Sequence, residues 1–102
     1  MIQTQNVCPN PDPGEETPVA DSPAFVSRCM SEISKYAAEL DWRLGKSLLT
    51  HSDTWGLVLR IDFRTKAGYE DSNFMNRTVC WGSADGTLVG TAAFFGEKFE
   101  PL

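Results

Sequence analysis

From Pro23 onward apolar side chains recur at helical spacing: Phe25, Val26, Cys29, Met30, Ile33, Tyr36, Ala37 and Leu40. Residues three and four apart share a helix face, so the pattern predicts one amphipathic helix with a single apolar stripe. Ser27, Arg28, Ser31, Glu32, Ser34, Lys35 and Glu39 fall mostly on the other side, where Arg28–Glu32 and Lys35–Glu39 have i,i+4 spacing. Ser22 and Pro23 supply a start: the hydroxyl can accept from an orphan backbone N–H, and proline is pre-organised for the first helical position. Asp21 suits the positive end of the helix dipole. Gly45 is the natural stop, with Asp41-Trp42 as an earlier exit.

Downstream the period changes. Between Trp55 and Arg64, Trp55, Leu57, Leu59, Ile61 and Phe63 alternate with Arg60, Asp62 and Arg64, which predicts a strand with one buried and one solvated face. A polar connection over 65–73 leads to a second strand from Phe74 to Trp81. Asp85-Gly86 then reads as a type I′ hairpin turn, and Thr87 to Phe95 completes the hairpin. Lys46 to Thr50 is a brief strand or a loop. A helix followed by strands without a second crossover helix argues against a parallel sheet. The expected architecture is α+β: one N-terminal amphipathic helix packed on one face of a three- to four-stranded antiparallel sheet. Phe25, Ile33, Tyr36 and Leu40 are expected to meet Leu57, Leu59, Ile61 and Phe63.

Residues 1–21 have a different character. Pro9, Pro11, Pro13 and Pro18 remove backbone donors and fix φ, while Asp12, Glu15, Glu16 and Asp21 add charge with no Lys or Arg nearby. So little apolar surface cannot offset the cost of ordering a chain. The expectation is a disordered Pro-rich acidic leader over 1–21, ahead of a single domain over 22–102. Residues 9–13 lack the basic flank common in Pro-rich recognition motifs, so a linker is the simpler reading.

The chain has 102 residues, 41% of them hydrophobic, and a net charge of −5. That allows one domain with one core, and a surface that repels phosphate backbones and anionic headgroups. Nucleic acid is therefore not an expected partner, whereas a basic protein surface is compatible. No apolar run reaches the ~18–20 residues needed for a bilayer span, so membrane insertion is not expected. The first residues carry neither a basic nor an apolar signal-peptide region, which leaves a cytosolic protein or one whose signal was removed.

The cysteines are Cys8, Cys29 and Cys80, with no C-x-x-C spacing and His51 as the single histidine. No metal site and no cofactor are expected from this set. Cys29–Cys80 is the favoured disulfide because both lie in the expected domain; two buried reduced thiols are the alternative. His51 with Asp53 is the one arrangement that suggests nucleophilic catalysis. Asp53 follows too closely within a polar turn, and no Ser or Cys has a supporting motif. No catalytic residue is assigned. Asp62 between Arg60 and Arg64 reads as a solvated sheet face. Asn76-Arg77-Thr78 matches a glycosylation acceptor inside an expected strand and is treated as chance.

Trp42, Trp55, Trp81, Phe94, Phe95 and Phe99 exceed what a single-faced core of this size needs; Trp42, Trp81, Phe95 and Phe99 are the candidate interaction surface, with core packing as the alternative. From Trp55 to Thr91 the chain resembles small uncharacterised bacterial proteins. In those, a cysteine-bearing helix precedes strands reading apolar-D-x-R-x-K, a Gly/aromatic loop and R-x-x-C. The corresponding residues are Ile61-Asp62-Phe63-Arg64-Thr65-Lys66, Gly68-Tyr69 and Arg77-Thr78-Val79-Cys80. The resemblance covers roughly half the domain and implies no activity. The helix-on-sheet shape is also similar to cystatin-type protease inhibitors, but their Q-x-V-x-G loop has no counterpart, because Leu88-Val89-Gly90 lies in an expected strand. The reading is a small non-enzymatic protein-interaction module with an unidentified protein partner, bacterial and periplasmic or secreted. The alternative is a cytoplasmic or viral acidic inhibitor or adaptor that binds a basic protein surface.

Overall fold

The computed structural model describes residues 8–14, 16–19, 21–65, 76–95 and 98–101, the last four by backbone alone. The elements are β1 (Thr17–Pro18), α1 (Pro23–Leu40), β2 (Arg43–Ser52), β3 (Gly56–Arg64), β4 (Asn76–Gly82), β5 (Leu88–Phe95) and β6 (Lys98–Pro101). Spatial order follows chain order, and every neighbouring pair is antiparallel. The α+β class and the helix-on-sheet packing are as expected. Strand number and helix position are not: five strands, β2 to β6, carry the sheet, and α1 follows the two-residue β1. The stretch from Lys46 to Thr50 belongs to a ten-residue strand. Its alternation is hidden in the sequence because a bulge between Leu44 and Ser47 shifts the register against β3.

Helix α1 has Pro23 in its first turn, but the Ser22 side chain makes no capping hydrogen bond. It ends at Leu40, not at Gly45. Asp41 takes the left-handed conformation (φ 59°), and the Trp42 N–H bonds back to the Ala37 carbonyl. Phe25, Cys29 and Ile33 are fully buried against Leu57, Leu59, Ile61 and Cys80. Leu40, expected in the core, is 50% exposed because the helix ends there. The i,i+4 ion pairs are replaced by a Lys35–Glu32 contact of 3.2 Å, one turn apart.

The β4–β5 connection also differs from the type I′ expectation. Gly86 alone takes positive φ (98°); Asp85 instead accepts the Thr87 N–H at 2.9 Å, and Ser83 bonds to both Gly86 and Thr87. A side-chain acceptor shapes this turn in place of a second left-handed residue.

The sheet is covered on both faces. Opposite the helix, Val58, Val79, Trp81, Ala92 and Phe94 form a second core with Cys8 of the leader. Trp55, expected on the helix-facing side of its strand, sits in the β2–β3 turn and packs edge-on against Trp81, ring centres 5.9 Å apart. The expectation of disorder over 1–21 therefore needs correction for residues 8–14 and 16–19: Cys8, Asn10, Pro11 and Glu16 make contacts on this face, and Thr17–Pro18 pair with the edge of β2. Residues 1–7, 15 and 20 lie outside the described part.

Candidate interaction surface

The leader is ordered by local turns and by the sheet beneath it. Asn10 Oδ1 accepts the Asp12 N–H, Asp12 Oδ1 accepts the Gly14 N–H, and the Glu16 N–H reaches the Pro13 carbonyl, each at 3.1 Å. Side-chain acceptors of this kind build turns that need no regular ladder. At the end of this run the Glu16 carboxylate meets Arg60. Arg60 Nη1 and Nη2 donate to its two oxygens at 3.0 and 2.9 Å. Thr50 donates to the same carboxylate at 2.6 Å and accepts from Arg60 Nη1 at 2.8 Å. Arg60 Nε donates to the Asn10 carbonyl at 2.9 Å.

Arg60 is only 2% exposed. The expectation that Arg60, Asp62 and Arg64 line a solvated face is thus overturned at Arg60. A guanidinium is tolerated inside a protein when its donors are satisfied and its charge is matched, and the leader supplies both. Asp62 does not pair with its strand neighbours; it accepts from Arg77 Nε at 2.8 Å, directly across the β3–β4 ladder. Arg77 Nη1 also donates to the Pro11 carbonyl. Two arginines from adjacent strands therefore hold successive leader carbonyls.

The aromatic residues singled out from the sequence do not form one surface. Trp42 (7% exposed) stacks on Phe63, ring centres 4.1 Å apart, and meets Phe95 edge-on at 5.9 Å, all on the helix side. Trp81 (6% exposed) lies on the leader side, over Gly90, where an added Cβ would stand 2.6 Å from its ring. Phe99 pairs in register with Phe94, and its side chain lies outside the described part. Trp42 and Trp81 are core residues on opposite faces, so a shared exposed patch is excluded. Stacking and area burial account for both.

Cys29 and Cys80 do come together: their sulfurs stand at disulfide distance across the helix–sheet interface, with Cα atoms 5.8 Å apart. That separation lies within the range a bridge requires. Cys8 stays outside this pair; burial in the second core pushes its thiol pKa up. His51 and Asp53 are exposed at the β2–β3 turn, and Ser52 Oγ is engaged there by the N–H groups of Thr54 and Trp55, both at 3.2 Å. Asn76, first residue of the glycosylation pattern, is 1% exposed.

What the surface does offer is the outer edge of β2. β1 pairs with Thr50 and His51 only, and the Val19 N–H adds one bond to the Leu49 carbonyl at 2.9 Å. Among the described residues, no strand pairs with the outer edge of β2 from 43 to 48. Backbone polar groups alternate sides along a strand. Since Leu49 points its carbonyl toward β1, Ser47 points its N–H and C=O to the same open edge. Behind it, on the leader face of the sheet, a groove of about 370 Å³ is lined by Lys46 and Leu48 of β2, by Asp62 and Arg77, and by Asp12 and Pro13 of the leader.

No family model, curated protein or solved structure matches this chain.

Proposed function

We propose that this chain is a small non-enzymatic protein-interaction module, working in an oxidising, exported setting, that takes an extended segment of its partner along the open edge of β2. The observation that carries the proposal is the contrast between a ten-residue strand and its two-residue neighbour. Addition of a strand to such an edge uses main-chain hydrogen bonds for affinity and flanking side-chain contacts for specificity. Ser47 provides the outward backbone pair, and Leu48, 40% exposed, provides an apolar contact. The Cys29–Cys80 pair supports the exported setting, because cytosolic thiols are kept reduced.

The test is selection of extended peptides from a displayed library on the full chain, followed by affinity measurement on Ser47→Pro. Proline removes an outward N–H without touching the β2–β3 ladder, and it is tolerated on edge strands. Binders that lose affinity on the variant, with its thermal midpoint unchanged, support the edge. Binders indifferent to the variant would overturn it.

A further inference from the structure

We infer that the segment taken by the β2 edge is acidic, with a carboxylate seated on Lys46; this rests on the edge reading above. The chain carries 14 acidic residues against 9 basic ones, yet β2 reads Arg-Leu-Gly-Lys-Ser-Leu-Leu-Thr-His-Ser with no acid in it. The strand at the open edge thus carries the basic Lys46 and no acid of its own.

Within the groove the other cations are already matched. Arg60 is held by Glu16, and Arg77 by Asp62. The Asp12 carboxylate accepts the Gly14 N–H. Lys46 has no carboxylate partner among the described residues, and it lines the groove together with Leu48. An incoming strand that places an acid on Lys46 and an apolar side chain near Leu48 meets both.

The leader shows that this region accepts such a segment. Glu16 delivers its carboxylate to a cation of the sheet, and the next two residues pair with β2. A partner strand would continue along the edge from the point where the leader turns away into α1. A second copy fits less well. Two β2 edges side by side set the Lys46 of each copy on the same shared seam, and the bulge beside Lys46 disturbs the register. Edge lysines and bulges are recognised devices against self-pairing, and here they leave an acidic partner admissible.

The experiment uses three short extended Thr/Val peptides that differ only in two positions, occupied by Glu, Gln or Lys. Fluorescence anisotropy reports their binding to the full chain, to Lys46→Gln and to Ser47→Pro. At low salt the Glu peptide is expected to bind about fivefold more tightly than the Gln peptide, the size of one exposed ion pair. That advantage disappears in Lys46→Gln and shrinks at about 0.5 M salt. Glu and Gln peptides of equal affinity, both weakened by Ser47→Pro, would overturn the acidic partner and leave the edge standing. Failure of all three peptides would remove edge and acid together. A concentration-dependent dimer that Ser47→Pro dissolves would assign the edge to a second copy and overturn the inference.

Discussion

Glu16 and Arg60, 44 residues apart in the chain, face each other through two hydrogen bonds of 3.0 and 2.9 Å beneath the leader. The contact is asymmetric. The Arg60 side chain is 1% exposed in the middle of β3, whereas Glu16 is 18% exposed, nearer to solvent. Removing one member of a buried pair strands the other, and the cost depends on whether the survivor can reach water.

Glu16→Ala is therefore expected to cost about 3–5 kcal/mol of stability, or to release the leader, because Arg60 loses its counter-charge in place. Arg60→Met, which keeps an unbranched side chain in the strand, should cost less, since the freed carboxylate rehydrates. Chemical denaturation of the two variants decides the order; a smaller loss for Glu16→Ala would mean that Arg60 does not depend on the leader.

Much of the helix side was readable, and the reason is periodicity. Phe25, Cys29 and Ile33 are the buried members of a stripe with helical spacing, and Leu57, Leu59, Ile61 and Phe63 those of an alternating strand. The leader side was harder, because the proline and acid content that signals disorder also suits a strap held by side-chain hydrogen bonds. A signal was nevertheless present. Val79-Cys80-Trp81 and Ala92-Ala93-Phe94 are continuous apolar runs, which mark strands covered on both faces. Among the described residues α1 covers one face and the leader covers the other. Arg60 misled for a related cause: alternation assigns it to a face, and only tertiary contact says whether that face is wet. The open edge of β2 was not legible, since a bulge masks the strand itself.

Ile33→Ala should destabilise by about 2–5 kcal/mol, as a fully buried side chain leaves a cavity between helix and sheet. Leu40→Ala, at the exposed helix end, should stay within about 0.5 kcal/mol. Equal losses in urea titrations would show that the helix stripe extends to its last turn.

Reduction of the Cys29–Cys80 pair, or Cys29→Ser with Cys80→Ser, should lower stability by about 4 kcal/mol for a sequence separation of 51. Peptide mapping without reductant, after blocking of thiols, must first recover the two cysteine peptides linked. Fully blocked Cys29 and Cys80 in protein from an oxidising compartment would contradict both the bridge and the exported setting.

Asp85 offers a pH test with a defined sign. Its pKa is lowered chiefly by the Thr87 backbone N–H, and also by a side-chain hydrogen bond from Thr87. A depressed carboxylate contributes stability above its unfolded-state value, and loses it as pH falls through the folded one. The gap between the parent and Asp85→Ala should thus be widest near neutrality and narrow in acid. A gap that widens on acidification would assign Asp85 no anionic role in the turn.

Cys8 and Glu16 sit at the two ends of the leader strap, so thiol chemistry at one can report the clasp at the other. Cys8 is 1% exposed between strand residues of the second core, and burial raises its pKa. At neutral pH it presents little thiolate and no open approach to a reagent, and both slow alkylation. With Cys29 and Cys80 bridged, one slow thiol is expected in the native chain and one fast thiol in denaturant. Glu16→Ala should quicken the native reaction, because releasing the Arg60 clasp lets the strap lift and lowers the free energy of local opening. Thr17→Ala, an exposed position next to it, should leave the rate unchanged. A fast Cys8 in the native parent would mean that the strap does not hold in solution. A slow Cys8 in Glu16→Ala would place its anchorage in the apolar contacts with Val58, Val79 and Trp81 instead.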